Sequence, residues 1–186
     1  AEPFLQEAST IMGRTLGERH GYHMATLALL GRAHEQLGNV QSAESLYRQV
    51  IDIGHYTESR YRVFVAQASG FLGALLITKG SYAEAEAHLR QSISIYRELS
   101  VDSSVGIVQA SLALLYFKQG DYPRAEHEYR EALDNLRKFF PREQPSPLSA
   151  AVGLGLSLTR NGKAKEGEPY LREALQIRKR ILPAGD

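Results

Sequence analysis

Histidine and acidic side chains are the residues of this chain that could hold a metal ion. The sequence has six histidines, 21 acidic residues and no cysteine. His20 and His23 are three residues apart, but Gly21 lies between them in an expected linker, and no acidic residue joins them at ligand spacing. Zinc sites take three or four protein ligands, and a chain without cysteine offers no thiolate. We therefore predict no metal site.

Motifs for covalent or cofactor chemistry are also missing from the sequence. It contains no Gly-rich phosphate loop, no His-Glu-x-x-His and no Gly-x-Ser-x-Gly. The pair Gly153 and Gly155 falls inside a predicted helix with no strand before it, so it is not a dinucleotide fingerprint. We predict that the chain is not an enzyme, with no catalytic residue and no cofactor.

Glutamate and arginine recur four residues apart, in an orientation that favours ion pairs on a helix. The four pairs are Glu44–Arg48, Glu86–Arg90, Glu126–Arg130 and Glu168–Arg172. They predict either a solvated face that neutralises its own charge or a row of arginines for phosphate or acidic peptides. We favour the first, because every arginine already has a glutamate.

These pairs belong to a phrase of nine residues that recurs along the chain. Full copies begin at Ala43, Ala85, Ala125 and Gly167, and a partial copy begins at Ala1, so the steps are 42, 42, 40 and 42 residues. A fixed period between 20 and 50 residues predicts stacked supersecondary units. Such units form surfaces for partners more often than a buried reaction centre.

Each repeat predicts a pair of helices joined by a glycine turn. Apolar residues recur at helical spacing in both halves of the repeat. Between the halves lie Gly38, Gly80, Gly120 and Gly162, which predict left-handed helix ends. Ser81-x-x-Glu84 predicts a capping box, and Asn39 and Asp121 are further predicted N-caps. Ser146 followed by Pro147 predicts another helix start.

Small residues predict where the two helices of a hairpin cross. The first halves carry Gly31, Gly73, Ala113 and Gly155, opposite Ala43, Ala85, Ala125 and Gly167 in the second halves. A bulky side chain at these crossings would force the helices apart.

This pattern resembles the tetratricopeptide repeat, and its period resembles the long subtype of kinesin light chains, nephrocystin-like proteins and repeat regions associated with bacterial kinases. The segment from Leu16 to His20 is similar to the linker of that subtype. The resemblance implies an all-α fold, a right-handed α-solenoid of antiparallel helix hairpins. It implies one array over residues 1–186, with a second helix at 1–16 and full repeats at 24–54, 60–99, 104–139 and 147–181.

In this family the first helices line a concave groove that binds partners. The resemblance places these residues in the groove: Arg32, Gln36, Gln67, Ala74, Ile77, Leu114, Phe117, Lys118, Val152, Leu156 and Arg160. We expect the apolar members from Ile77 onward to form a strip exposed to solvent, with cations at Arg32, Lys118 and Arg160. Neighbouring parts of the parent protein are the alternative occupant of this strip.

The resemblance implies a protein-interaction scaffold, a fragment of a larger signalling or regulatory protein that binds a peptide or helix in this groove. The alternative is a regulatory domain that senses a ligand or signal peptide and controls an attached effector domain. The net charge of +1 gives no reason to expect nucleic acid. No apolar run approaches the roughly 20 residues that span a bilayer, so we expect no membrane partner. We expect a cytoplasmic location and a linker at 183–186.

The first and last predicted helices carry apolar stripes without a neighbouring helix. Phe4, Leu5 and Ile11 belong to the first stripe, and Leu171 and Leu175 belong to the last. Because uncovered apolar stripes favour association, we expect the chain to self-associate through them.

Overall fold

The computed structural model describes the backbone of residues 2–181 and the side chains of residues 3–181, and within this part it contains helices and no strand. The predicted linker at 183–186 lies outside the described residues. The α-helices are α1 (Glu2–Leu16), α2 (Gly21–Gln36), α3 (Val40–Gly54), α4 (Arg62–Thr78), α5 (Tyr82–Glu98), α6 (Asp102–Lys118), α7 (Tyr122–Phe139), α8 (Pro145–Arg160) and α9 (Ala164–Ile181). One 3₁₀ turn, Ser59–Tyr61, precedes α4.

Four helices end in the same left-handed glycine turn, as the sequence predicts. Gly38, Gly80, Gly120 and Gly162 have φ between 76° and 80°. In each turn the glycine N–H donates to the carbonyl three residues back, and the next N–H donates five residues back, as in Ser81 N to Leu76 O at 3.0 Å. These two bonds satisfy carbonyls that the helix end leaves free. The turn fixes α2, α4, α6 and α8 as first helices, each followed by a second helix.

The predicted N-caps are only partly correct. Asp121 caps α7 by accepting from the N–H of Arg124 at 3.1 Å. Asn39 and Ser81 stand at N-cap positions without a side-chain capping bond. The capping box at Ser81 is therefore wrong, because the Glu84 carboxylate pairs instead with Arg48, 2.8 Å away on α3.

Three first helices begin earlier than the sequence predicts, and α6 is one of them, since it starts at Asp102 and not at residue 104. Helix α8 starts at Pro145 with Gln144 as its N-cap, and not at Ser146. Helix α2 starts at Gly21, because the N–H of Tyr22 donates to the ring Nδ1 of His20 at 3.2 Å.

The chain divides between Ser100 and Val101 into two compact units. In the first unit α1 packs on α2, α2 on α3, α3 on α4 and α4 on α5, while α2 also contacts α4. Met24, Tyr47, Leu72 and Leu89 are fully buried there. A Cβ added at Gly31 would lie 2.6 Å from the Tyr47 ring, so glycine is required at this crossing.

The second unit packs α6 on α7, α7 on α8 and α8 on α9, and α6 also contacts α8. Leu112, Leu133 and Leu154 are fully buried in it. At Gly155 an added Cβ would meet the carbonyl oxygen of Gly167 at 3.0 Å. The predicted close crossing of first and second helices is therefore confirmed in both units.

Helix α4 corrects one expectation from the sequence. The stretch Ser59–Thr78 is long and apolar enough, by length and composition alone, to cross a membrane. Half of this stretch is buried inside the protein. Helix α4 packs on both α3 and α5, and a helix buried among its neighbours is apolar on most sides because little of it faces water. The apolar composition of α4 is therefore weak evidence for a membrane span, and its packing inside the protein explains it.

Candidate binding surfaces on the first helices

The histidines that could bind a metal are engaged in packing and capping. His23 is 7% exposed, and its Nδ1 lies 3.0 Å from the carbonyl oxygen of Ser9 on α1. His20 caps α2, as described above. Among residues 3–181 no three His, Cys, Asp or Glu side chains converge to hold a metal ion.

Four ion pairs follow the second helices, at the positions that the sequence predicts. Glu44 contacts Arg48 at 2.7 Å, Glu86 contacts Arg90 at 2.9 Å and Glu126 contacts Arg130 at 3.2 Å, while Glu168 also pairs with Arg172. The pairs leave no row of free arginines, so the face neutralises its own charge.

Two of these glutamates also bind the following repeat, which sequence spacing does not show. Lys79 donates to Glu44 at 2.5 Å, and this bond lowers the pKa of Glu44 against the opposing effect of burial. Burial raises the pKa of Glu126, but hydrogen bonds from Asn161, Lys163 and Arg130 outweigh it and hold that pKa below its ordinary value. Both carboxylates therefore stay charged and tie neighbouring hairpins together.

In the first unit the predicted groove residues lie on α2 and α4, which contact each other. Arg32 and Gln36 are exposed, and Gln67 and Ala74 are half-buried. Ile77 is only 6% exposed, so the expectation that it belongs to an open apolar strip is wrong. Leu75 and Leu76 are buried as well, so α4 is packed on more than one side, and the side that carries Ile77 is not open to solvent.

Arg32 is held by an aromatic side chain that sequence analysis missed. Its guanidinium lies over the Phe71 ring, 5.1 Å from the centroid, and Phe71 in turn contacts the Tyr47 ring at 5.6 Å. Tyr47 donates to Glu35 at 2.9 Å. An arginine stacked on an aromatic face keeps its donors free for a carboxylate. Because Phe71 lies in the next repeat, no local spacing in the sequence indicates this contact.

In the second unit the predicted residues lie on α6 and α8. Leu114 is 39% exposed and Leu156 is 41% exposed, while Lys118 and Arg160 are exposed one helical turn later on the same helices. Because α6 contacts α8, the two leucines and two cations belong to neighbouring helices of one surface. Ile107, which is 43% exposed and lies seven residues before Leu114, extends the apolar stripe of α6.

The other two apolar residues of the expected strip are partly used in packing. Phe117 is half-buried, with its ring edge-on to Tyr122 at 5.5 Å. Val152 is half-buried against the core cluster of Leu148, Ala174 and Ile177 between α8 and α9. Phe117 and Val152 lie next to the exposed leucines, and they contribute less solvent-exposed apolar surface than the sequence predicts.

Two sequence profiles and two curated proteins match the chain. The profiles both describe the tetratricopeptide repeat, one over residues 1–54 and 64–138 and the other over residues 29–98 and 111–182. Protein KINESIN LIGHT CHAIN-RELATED 1 of Arabidopsis thaliana is 25% identical over 179 residues, 96% of this chain and 29% of that protein. KINESIN LIGHT CHAIN-RELATED 3 is 24% identical over 92% of this chain and 26% of that protein. The chain spans less than a third of the length of these relatives.

Solved structures share the fold at low identity. A single-residue variant of a Podosopora anserina protein with nearly identical TPR-like repeats has a TM-score of 0.73 and 24% identity, over 96% of this chain and 85% of that one. BtubC (BKLC) from P. vanneervenii has a TM-score of 0.83 and 18% identity, over 100% of this chain and 75% of that one. The apo form of RapI has a TM-score of 0.81 and 12% identity, over 95% of this chain and 62% of that one. With a matching profile over more than half of its residues, the chain belongs to the tetratricopeptide repeat family and has an all-α fold, a right-handed α-solenoid of antiparallel helix hairpins.

Proposed function

We propose that this protein-interaction scaffold binds an amphipathic helix or extended peptide on the first helices of its second unit. The observation that carries the proposal is one pattern present on both α6 and α8. Each helix exposes a leucine followed one turn later by a cation, Leu114 with Lys118 and Leu156 with Arg160. Helix faces open to water are ordinarily polar, so matched exposed leucines on neighbouring helices favour a partner.

The chemistry of this surface selects the partner's side chains. Ile107, Leu114 and Leu156 would accept apolar anchors spaced by one or two helical turns. Lys118 and Arg160 lie at the same end of each pattern, so acidic residues flanking the anchors would meet them. These charges set orientation and association rate more than affinity. The Arg32 guanidinium, stacked on Phe71, offers the first unit a separate contact for a carboxylate.

A random peptide library displayed on phage tests the proposal. Peptides selected on the whole chain should carry apolar residues at helical spacing with acidic flanks. In fluorescence anisotropy, Leu114→Glu should weaken their binding at least tenfold, because it places a charge among the anchors and leaves helicity unchanged. The control is Phe139→Glu, which charges a 49% exposed residue of α7 and should leave affinity unchanged.

Two results would contradict the proposal. Selected peptides that bind Leu114→Glu and the unchanged chain equally would exclude the α6–α8 surface. An equal loss of peptide affinity in the Leu114→Glu and Phe139→Glu variants would show a general effect of added charge and no specific role of Leu114. Normal binding by Arg48→Ala is expected, since Arg48 lies on α3 and serves ion pairs.

The alternative function is a regulatory domain that senses a ligand or signal peptide and moves an attached effector. It shares the fold but needs a second domain, so the domains found beside this array in the parent protein would discriminate. A kinase domain supports a signalling scaffold, and a DNA-binding helix-turn-helix supports the sensor. A cytoplasmic location and a single array over residues 1–186 are parts of the same proposal.

A further inference from the structure

The turn between α8 and α9 contains a pair of residues that can change covalently without an enzyme. Asn161 is directly followed by Gly162, and neither of the other asparagines of the sequence, Asn39 and Asn135, precedes a glycine. The three equivalent glycine turns have leucine, lysine and glutamine in the place of Asn161. The α8 turn is therefore the place in the sequence where an asparagine amide is next to an unobstructed backbone N–H.

An asparagine before a glycine can lose its side-chain amide in an intramolecular reaction. The backbone nitrogen of Gly162 attacks Cγ of Asn161, the bond between Cγ and Nδ2 breaks, and ammonia leaves with the proton of the attacking amide. Glycine favours this step because it has no Cβ beside the attacking nitrogen. Water then opens the succinimide ring. Its attack at Cγ gives aspartate, and its attack at the main-chain carbonyl carbon gives isoaspartate, so no oxidant or reductant is needed.

The fold restrains both reacting groups. The N–H of Gly162 donates to the carbonyl oxygen of Thr159 at 3.2 Å, and Nδ2 of Asn161 donates to the carboxylate of Glu126 on α7 at 2.8 Å. Gly162 is exposed, and a Cβ added to it would meet nothing within 4 Å, so water reaches the turn. Because both hydrogen bonds must open before the ring closes, the reaction rate depends on local opening of the turn.

The product would reverse the role of this position in the fold. Asn161 donates to Glu126, which also pairs with Lys163 at 2.9 Å. An aspartate at residue 161 places a second carboxylate beside Glu126, and water screens their repulsion poorly because Glu126 is only 9% exposed. The new charge also lies at the C-cap of α8, where the helix dipole is already negative. Both effects oppose the contact between this turn and α7.

We propose that Asn161 is a site of spontaneous deamidation, that Glu126 sets its rate, and that the product detaches the α8 turn from α7. The restraint by Glu126 makes the change slow in the folded chain, and the loss of ammonia makes it irreversible. The inference does not depend on the proposed function, although Arg160 of the peptide-binding surface directly precedes the modified residue.

Peptide mapping by mass spectrometry tests where the chain deamidates and how fast. The whole chain is kept folded in mildly alkaline buffer, which favours the attacking amide. Aspartate and isoaspartate should accumulate at residue 161, while Asn39 and Asn135 should stay unchanged. The reaction should be about a hundredfold slower than in a synthetic peptide of residues 157–166, since two hydrogen bonds must open first.

Two glutamate variants test whether Glu126 sets the rate. Glu126→Ala should speed the reaction about tenfold, because it removes the hydrogen bond that holds the amide to a charged group. The matched control is Glu44→Ala, which removes the equivalent carboxylate of the first unit and should leave the rate at Asn161 unchanged. Circular dichroism checks that both variants are folded.

An introduced site provides a test that does not need Glu126 to be changed. Lys79→Asn places an asparagine before Gly80 and beside Glu44, to which Lys79 donates in the native chain. Residue 79 should then deamidate at a rate similar to that of Asn161.

The effect of the product is tested with Asn161→Asp. Its matched control is Asn161→Gln, which keeps the amide and has a precedent in the α6 turn, where Gln119 precedes the glycine. The midpoint of thermal unfolding should be roughly 5 °C lower for Asn161→Asp than for Asn161→Gln. Adding Glu126→Gln to both variants should narrow this difference, since it removes the facing charge.

Several results would overturn the proposal. One is an unchanged Asn161 in the folded chain after the synthetic peptide has converted completely. Equal rates in the original chain and in a folded Glu126→Ala variant, or no conversion at residue 79 in Lys79→Asn, would also contradict it. Equal unfolding midpoints for Asn161→Asp and Asn161→Gln would show that the product leaves the turn attached to α7.

Discussion

At the scale of single residues, the closest contacts are made by the smallest side chains. Gly73 lies where an added Cβ would be 2.6 Å from Leu89 and 3.2 Å from the carbonyl oxygen of Ala85. Glycine within a helix costs about 1 kcal/mol relative to alanine. The close approach of the two helices offsets this cost, and it explains why small residues recur at both sides of the crossing.

Ala125→Leu should lower the free energy of unfolding by about 1–3 kcal/mol, because Ala125 is completely buried and a larger side chain would separate α7 from α6. Urea unfolding followed by circular dichroism measures the change. The matched control is Ala87→Leu, since Ala87 is exposed on α5 and should tolerate leucine. Equal stability of Ala125→Leu and the unchanged chain would contradict the packing role.

Glu126 should make stability depend on pH, because its pKa is lower in the folded chain than the ordinary value of 4.5. A lowered folded pKa adds stability that is complete above the unfolded pKa and is lost as pH falls through the folded one. Glu126→Gln should therefore cost about 1.5–3 kcal/mol at pH 7 and much less near pH 3.

Urea unfolding at the two pH values measures this difference, and Glu168→Gln provides the control. Glu168 has the same place in its repeat, but its side chain is 60% exposed, so its removal should change stability little at either pH. A Glu126→Gln cost that is the same at pH 7 and pH 3 would rule out the charged carboxylate as its source.

At the scale of helices and turns, local signals are predictable from sequence and contacts between repeats are not. The glycine turns depend on one residue with positive φ, and the Glu126–Arg130 pair depends on a spacing of four, so both can be read from the chain. The capping box at Ser81 fails because its glutamate has a competitor 36 residues away, Arg48. Local spacing does not contain that contact.

The candidate site shows the same division. Sequence register places Leu114 and Leu156 at equivalent positions of α6 and α8, and both are exposed. Ile77 has an equally apolar side chain in the helix pattern but is buried, because its side of α4 is used for packing. The cation–aromatic contact of Arg32 with Phe71 joins two repeats, and it could be found only from the folded structure.

Ser100 follows α5 with φ of 56°, the one non-glycine residue with positive φ among residues 2–181. For a residue with a side chain, this left-handed backbone conformation costs about 1–2 kcal/mol. Ser100→Gly should therefore stabilise the chain or leave it unchanged, whereas Gly80→Ala, at φ of 76°, should destabilise it by about 1 kcal/mol. Thermal unfolding of both variants gives the comparison, and a clear loss of stability in Ser100→Gly would contradict this account.

At the scale of the whole molecule, the first and last described helices, α1 and α9, both expose large apolar side chains. Phe4 is 76% exposed and Ile11 is 49% exposed on α1, and Leu175 and Ile181 are 53% and 51% exposed on α9. At the position of Leu175, α3 and α7 carry Ile51 and Leu133, which are 7% and 1% exposed. The exposed stripes are therefore surfaces that lack a packing neighbour among the described residues.

We expect weak, concentration-dependent dimers of this chain, because uncovered apolar stripes favour association. Sedimentation velocity from micromolar to millimolar concentration measures the equilibrium, and combining Phe4→Glu with Leu175→Glu should return the chain to a monomer. A strict monomer at the highest concentration would refute the expectation.

The repeated glycine turn also bears on the order of folding. Each turn is closed by bonds to carbonyls three and five residues back, as at Gly162 and Lys163, and it needs no atom from another hairpin. Contacts so near in sequence have a small loop-closure cost and form quickly. The chain therefore has four places where folding can start independently, and the ion pairs of Glu44 and Glu126 lock neighbouring hairpins only after both have formed.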